Sequence, residues 1–535
     1  MGPVAMLTSQ PSGGGGFRIE DLLVAGAYPH PVAHLRLQQT HISWVVLTGL
    51  FAYKVNKPVR YAFIDASTLE RRRFLCEEEL RLNQRFAPDL YLDVVPITRD
   101  GGRLKIGGNG EPVEFAVRMH EFDPAQELAN RLAHDAITTQ DMNAFATRIA
   151  DSHLRAAVAT AQGPFGSFQK ARAAMLENFA LLRTHLGDAR ELQLLERLAV
   201  WTEDSLTRLE PLIQSRRLSG MVRECHGDLH ARNIVHWRQQ WLPFDCLEFD
   251  PELRWIDVIS DVAFLFMDLM SRQRANLAHE FLSRYLEVTG DYEGLRLLPL
   301  YAAYLALVRA KVDALGAETA GPEERRALEA RLAERLATAV RFMDAESPAL
   351  VIMHGVTGSG KSWLSERMIS RIRAVRIRSD RERKRLAGVA TTGRRVFDVG
   401  KGDYTAASKQ RTYQRLLECA GYALDGGRSV IVDATFLEPV HRDMFRALAL
   451  QQRCRFLIVS CVSDAATLKT RLETRTRNGL DPSEATQAVL DEQLRSLQPL
   501  TAKEMLQTVN LDTSRPGSAD AGLVEIRTRL ARAPS

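Results

Sequence analysis

From about Phe17 to Asp123 the chain reads as short apolar runs broken by turn-forming residues. "HISWVVLTGLFAYKV" and "EPVEFAVRMHEF" are rich in Val, Phe, Tyr and Trp and predict strands. Between them "STLERRRFLCEEELRLNQRF" predicts a helix, opened by Ser67 and Glu70 at the spacing of a capping box. Residues 124 to about 220 are mostly helical in pattern. The polar loop "HGDLHARN", residues 226–233, then leads into "IVHWRQQWLPFDCLEFD", which predicts a hairpin. Helices are expected again from about Asp257 to Asp344, with a boundary near Pro348.

Beyond that boundary the pattern changes. "ALVIMHG", "AVRIRS", "RSVIVDAT", "CRFLIVSCV" and "TVNLD" are short apolar runs separated by helical segments. Such alternation predicts a parallel sheet flanked by helices. The Gly-rich residues 1–17 read as a disordered tail. No internal repeat relates the two halves, which predict different folds.

Composition narrows the picture. A chain of 535 residues is too long for one ordinary core. Hydrophobic content of 45% and charged content of 26% are those of a globular protein in water. A net charge of +5 permits anionic substrates without arguing for a nucleic-acid protein. Cys76, Cys225, Cys246, Cys419, Cys454 and Cys461 are scattered, which excludes a disulfide framework or a cysteine-rich zinc site. No apolar run approaches the length of a membrane span, and no signal peptide is evident. A cytoplasmic protein without membrane partners is expected.

The strongest chemical signal is "GVTGSGKS", residues 355–362. It follows an apolar strand and precedes a helical segment beginning near Lys361, the context a phosphate-binding loop requires. Gly355, Gly358 and Gly360 let successive backbone N–H groups turn toward phosphate oxygens, and the helix N-terminus adds partial positive charge. Lys361 is expected to reach the β and γ phosphates of ATP, and Ser362 to hold Mg2+. Asp380, after the second strand, is a candidate base for a substrate hydroxyl, with Arg383 three residues on. A helix N-cap is the alternative for Asp380. Asp433, ending a strand, can support magnesium. Arg471, Arg475 and Arg477, near Asp481, can close over the phosphates, or can form a solvated helix face. This half, residues 348–535, resembles the P-loop kinases of the zeta-toxin, gluconate-kinase and polynucleotide-kinase group. The resemblance implies that Asp380 and Arg383 serve as base and substrate-phosphate clamp.

The motifs "HGDLHARN", "FDCLEFD" and "DVISDVAF" make residues 18–345 resemble aminoglycoside phosphotransferases and, more remotely, protein kinases. The resemblance implies an α+β two-lobed fold, with an N-lobe at 18–123 and a helical C-lobe at 124–345, ahead of the α/β P-loop domain. It implies that Asp228 is the catalytic base, Asn233 a magnesium ligand, and Asp245 the ligand for magnesium bridging the β and γ phosphates. His226 is expected to brace the loop backbone, with Asp257 and Asp261 at the position that buttresses it from a helix start. A strand lysine, Lys54 or its competitor Lys57, would pair with the α and β phosphates. Its partner acid is one of Glu77, Glu78 and Glu79, with Glu79 preferred. The protein-kinase glycine-rich loop is not visible upstream. The spacing of His226, Asp228 and His230 also permits a zinc site.

Together these motifs predict an ATP- and Mg2+-dependent phosphotransferase acting on a hydroxyl of a small molecule. Three readings stay open: two kinase sites, a P-loop half acting on a nucleic-acid or nucleotide hydroxyl, or one half sensing nucleotide for the other. A basic, aromatic-lined groove beside Asp380 would favour nucleic acid. A deep acidic pocket near Asp228 would favour a cationic small molecule.

Overall fold

The structure is a computed structural model describing residues 17–61, 64–344, 347–389, 406–478 and 487–531. Residues 1–16 of the expected N-terminal tail, Asp481, and the side chains of Arg475 and Arg477 lie outside the described residues. Two compact units are present. The first comprises Met1–Phe145, Ser152–Asp268 and Leu307–Ala333; the second comprises Ala146–Asp151, Leu269–Ala306 and Glu334–Ser535. Residues 269–306, read from sequence as part of a kinase-like C-lobe, therefore cluster with the P-loop half.

The first unit begins with strands β1 (Arg36–Gln39), β2 (Ser43–Leu47), β3 (Phe51–Asn56), β4 (Arg60–Tyr61) and β5 (Ile64–Asp65). Helix α1 (Leu69–Gln84) follows, then β6 (Tyr91–Asp100), β7 (Arg103–Ile106) and β8 (Glu111–His120). Six of these strands form one antiparallel sheet in the order β1-β2-β3-β8-β6-β7. The run expected as one strand is two, β2 and β3. Gly49 turns the chain between them at φ +92°, where an added Cβ would lie 2.6 Å from that of Ala33. The α1 cap is also corrected. Thr68, not Ser67, accepts the Arg71 N–H, while Ser67 binds Asp65.

Alternation decides what each face of β3 meets. Tyr53 and Val55 bury among Ile97, Leu104 and Ala116. Ala52 buries with Cys76 of α1, Val117 and Leu242. Lys54, two residues from Ala52, shares its α1-facing side.

Helices α2 (Leu128–Ala133), α3 (Thr139–Arg155), α4 (Phe168–His185) and α5 (Ala189–Leu218) come next. Strand β9 (Val222–Glu224) pairs with β12 (Trp255–Asp257), and β10 (Ile234–Trp237) pairs with β11 (Gln240–Pro243) as the expected hairpin. Helices α6 (Val258–Ser271), α7 (Ala275–Thr289), α8 (Leu298–Thr319) and α9 (Pro322–Met343) complete the stretch.

The P-loop half of the second unit contains all five expected strands: β13 (Ala349–His354), β14 (Ala374–Arg378), β15 (Ser429–Asp433), β16 (Arg455–Val462) and β17 (Thr508–Asp512). They form a parallel sheet in the order β14-β15-β13-β16-β17. Helices α10 (Lys361–Ile372), α11 (Ser379–Leu386), α12 (Ala406–Asp425) and α13 (Pro439–Gln451) alternate with these strands. They are followed by α14 (Ala465–Asn478), α15 (Gln487–Ser496), α16 (Ala502–Met505) and α17 (Ser518–Ala531). Every residue of β13 is buried, as a central parallel strand covered on both faces requires. Among the described residues no helix is long and apolar enough to cross a membrane. All six cysteines are free thiols.

Candidate functional site

In the first unit the sheet and α1 set the lysine. Lys54 Nζ lies 2.9 Å from Glu79 Oε1 and 2.8 Å from Asp245 Oδ1. Glu79 is fully buried on the inward stripe of α1 with Cys76 and Leu82. Glu77 pairs with Arg73 at the surface, and Glu78 with Arg81 and Arg254. Lys57 stands past the end of β3, its ammonium on the Thr40 carbonyl. Burial works against the Lys54 charge, but Asp245 and Glu79 outweigh it and hold the ammonium protonated. Burial, with Glu248 and Asp245 nearby, raises the Glu79 carboxyl to about 8 against the pull of Lys54.

The 226–233 loop is held from α6 and from the hairpin. Asp261 Oδ2 and Oδ1 accept from the His226 and Gly227 N–H groups at 3.1 and 2.9 Å, and Asp268 accepts from Ala231 N–H at 3.0 Å. Those two aspartates are seven residues apart and share one face of α6. Asp257, by contrast, forms a buried two-bond pair with Arg216. Gly227 adopts φ +86°, and a Cβ there would meet the Leu253 carbonyl oxygen at 2.8 Å. His226 Nε2 bonds the Phe244 carbonyl at 2.9 Å, and its Nδ1 accepts from Asp228 N–H. Both ring nitrogens thus brace backbone, so His226 is not placed to join a zinc site with Asp228 and His230.

Asn233 Nδ2 donates to Asp228 Oδ2 at 2.8 Å. The hairpin places Phe244 N–H on the Asn233 carbonyl at 2.9 Å, which brings Asp245 alongside. Asp245 takes φ +61° and gives its N–H to Tyr91 Oη. Burial would raise the Asp228 carboxyl, but His230, Arg309 and His226 outweigh it and hold it at about 2. His230 Nε2 lies 3.4 Å from Asp228 Oδ2 and 3.4 Å from Arg309 Nη1. Sequence reasoning missed Arg309, which sits on α8 without a motif. It also missed Glu248, which is 4% exposed with Oε1 lacking a hydrogen-bond partner. The hard oxygen donors of Asn233 and Asp245, beside that orphaned carboxylate oxygen, fit a magnesium ion.

In the second unit the loop from Gly355 to Gly360 leaves the C-terminal end of β13. Gly355, Gly358 and Gly360 adopt φ of +133°, +79° and +86°. A Cβ on Gly355 would lie 2.3 Å from the Cys461 carbonyl oxygen, so the tight turn excludes a side chain. Lys361 Nζ donates to the Val356 carbonyl at 2.7 Å. Asp433 is 4% exposed at the end of β15 and accepts from Ser365 Oγ at 3.1 Å. Its position in a cavity with Ser362 supplies an all-oxygen donor pair suited to magnesium.

That cavity, of about 940 Å³, is lined by Lys361, Ser362, Asp380, Arg383, Asp433 and Arg471, with Trp363, Arg376, Arg378 and Lys409 also on its walls. Asp380 lies inside the first turn of α11, whose cap is Arg378, so it is not the N-cap. Arg383 Nη2 is 4.0 Å from Asp380 Oδ1. Arg471 donates to the Gly358 carbonyl and to Thr513, which ties α14 to the phosphate loop. Arg475 lies on α14, its side chain outside the described residues.

A family model described as "AAA domain" matches residues 350–500. "Uncharacterized protein Rv2004c" of Mycobacterium tuberculosis is 31% identical over 469 residues, covering 86% of this chain and 91% of its own. Among solved structures, a choline kinase from Cryptosporidium parvum aligns with 58% of this chain and 90% of its own, at 12% identity and a TM-score of 0.35. A gluconokinase from Sinorhizobium meliloti aligns with 35% of this chain and 97% of its own, at 22% identity and a TM-score of 0.23. Through its match to the mycobacterial protein, the chain belongs to that protein's family.

Proposed function

We propose that the protein is an ATP-dependent phosphotransferase with two nucleotide sites, each delivering the γ-phosphate to a hydroxyl of a small acceptor. The observation that carries this reading is the Lys54 ammonium held at 2.9 Å and 2.8 Å between Glu79 and Asp245, three residues far apart in sequence. Lys54 and Glu79, with side chains 12% and 0% exposed, cost more to bury than an apolar pair of equal size, so their presence points to polar groups needed for function. In the first site Lys54 would bind the α and β phosphates, while Asn233 and Asp245 would hold magnesium. Asp228, ionised at about 2 and above, would accept a hydrogen bond from the acceptor hydroxyl and aim its oxygen at phosphorus. In the second site the loop N–H groups and Lys361 would hold the phosphates, with Ser362 and Asp433 at the metal and Asp380 facing the acceptor. Bound magnesium would neutralise charge gathering on the transferred phosphoryl oxygens.

A second reading is favoured for the P-loop half by one feature. Trp363, 46% exposed, shares the cavity with Asp380, Arg383 and Lys409, an aromatic and cationic surround that suits a nucleotide or nucleic-acid hydroxyl. The deciding experiment measures ATP turnover by the intact chain, Asp228→Ala and Lys361→Ala, against sugars, nucleosides, aminoglycosides and 5′-hydroxyl oligonucleotides. Loss of a different acceptor-stimulated activity in each variant supports two kinase sites. If one variant keeps every activity, its half binds or regulates and the two-site reading fails.

A further inference from the structure

The wall of the P-loop cavity is tied to a residue that precedes the phosphate loop by a long stretch of sequence. Glu287, near the end of α7, is 1% exposed and lies in the same compact unit as the loop. Arg376 Nε, on β14, donates to Glu287 Oε1 at 2.7 Å. Arg381 Nε and Arg284 Nη1 approach Glu287 Oε2 at 3.3 and 3.6 Å. Around this pair, α7 and the turn that follows it hold the backbone of β14. Ser283 Oγ accepts the Arg376 N–H at 2.9 Å, and Tyr292 Oη donates to the Arg376 carbonyl at 3.1 Å.

The other end of the same guanidinium reaches the site. Arg376 Nη1 donates to the Ser362 carbonyl at 3.2 Å and to Ser365 Oγ at 3.3 Å. Ser365 in turn donates to Asp433 Oδ2 at 3.1 Å. A continuous path of hydrogen bonds therefore runs from Glu287 through Arg376 to the backbone carbonyl of Ser362 and, through Ser365, to the Asp433 carboxylate, the two residues assigned to magnesium. Arg376 is itself 5% exposed. A planar, forked guanidinium suits this task, because its donors keep fixed directions once one edge is anchored.

We infer that Glu287 is a positioning residue for the P-loop site: by anchoring Arg376 it orients Ser362 and Asp433 toward the magnesium of a bound nucleotide. The inference rests on the reading of residues 355–362 as a nucleotide site. The P-loop module is then incomplete without α7. Its orienting shell comes from a segment whose sequence belongs to the kinase-like stretch. Burial alone would keep Glu287 protonated, but Arg376, Arg378 and Arg381 hold its carboxyl at about 2, so the anchor is charged at neutral pH.

The test uses the full chain with Lys54→Ala to silence the first site, and ADP with titrated magnesium followed by calorimetry. Lys361→Ala in that background must abolish the binding; if it does not, the nucleotide-site reading fails and this inference with it. Glu287→Gln is expected to raise the magnesium concentration for half-maximal tightening of ADP at least about tenfold, the usual scale for outer-shell partners of a metal site. Arg376→Lys, which keeps the charge beside Glu287 but loses the fork, is expected to give the same shift even where Glu287→Gln folds poorly. A lowered melting temperature with a magnesium dependence unchanged within about twofold in both variants would overturn the proposal. It would leave Glu287 as a fold-stabilising acid only.

Discussion

The two candidate sites are assembled by opposite constructions. The P-loop site is built from one contiguous stretch, Gly355 to Ser362, whose glycines take left-handed or otherwise forbidden backbone angles and whose lysine starts a helix. The kinase-like site is assembled from β3, α1, the 226–233 loop and the turn after β11, and its key pair joins residues 191 positions apart. In the first case the proposed binding groups are backbone N–H groups of one glycine-rich stretch, so the local sequence announces it. In the second they are side chains held by separate elements, so only folding makes the site. The supporting residues invert the contrast. The kinase-like loop is braced by nearby Asp261 and Asp268, whereas the P-loop's metal donors are oriented from distant Glu287.

The sharpest way to separate the two constructions is through their reacting groups. Asp228→Ala is expected to lower first-site turnover by about 10²–10⁴-fold, the range for removing a positioned base, and to leave the P-loop activity intact. Lys361→Ala is expected to do the reverse by about 10²–10³-fold, the scale for losing one charge-stabilising donor. Acceptor-stimulated release of ADP reads both. A matching loss at both sites from either variant would break the comparison.

Assembly from separate elements predicts sensitivity to small displacements. Glu79→Leu keeps the size of the side chain but removes the carboxyl oxygen that accepts from Lys54 Nζ. Turnover at the first site is expected to fall about tenfold to a hundredfold, as misplacing a positioned group by about 1 Å does. Steady-state kinetics with ATP varied would detect it, and an unchanged profile would mean that Asp245 centres Lys54 alone.

Stability tests address the scaffold of the P-loop unit. Arg442 and Glu504 are 0% and 2% exposed and pair at 2.6 Å, with Arg442 also donating to the carbonyls of Phe436 and Leu437. Arg442→Met leaves the buried Glu504 carboxylate with only Thr501 and the more distant Arg446 and is expected to cost about 3 kcal/mol, visible as an earlier denaturant midpoint for this unit. The smallest effect concerns pH. Burial, reinforced by Arg428 and Arg373, pulls the His279 imidazole down to about 3, so it is neutral in the fold. The unfolded chain takes up a proton below about 6.5. The contribution is therefore full above that pH and lost as pH falls toward about 3. Melting at pH 7 and pH 5 should show a larger drop for the native chain than for His279→Leu.

The limits of sequence reading follow from particular residues. The five strands of the P-loop half were legible because each is an apolar run bounded by turns, and burial on both faces leaves little else for such a run to do. The cap of α1 was misread by one residue because Ser67 and Thr68 are both good caps, and only Asp65 capturing Ser67 decides between them. Lys54, preferred from sequence over Lys57, lies within β3, whereas Lys57 stands past its end. Arg309 and Glu248 carried no signal, since nothing local distinguishes an arginine within a helix, or one acid among several.

By itself the sequence determined the chemistry available: a glycine-rich loop with the spacing of a phosphate-binding loop, and the aspartate, asparagine and lysine types that phosphoryl transfer uses. It also determined the two kinds of fold, because hydrophobic period follows directly from backbone geometry. Tertiary structure decided which lysine meets which acid, which cations surround the half-buried Asp228, and that Glu287 anchors the P-loop's arginine. Those choices depend on distances between segments far apart along the chain. Such distances are set by packing whole elements, and no local pattern of residues encodes them.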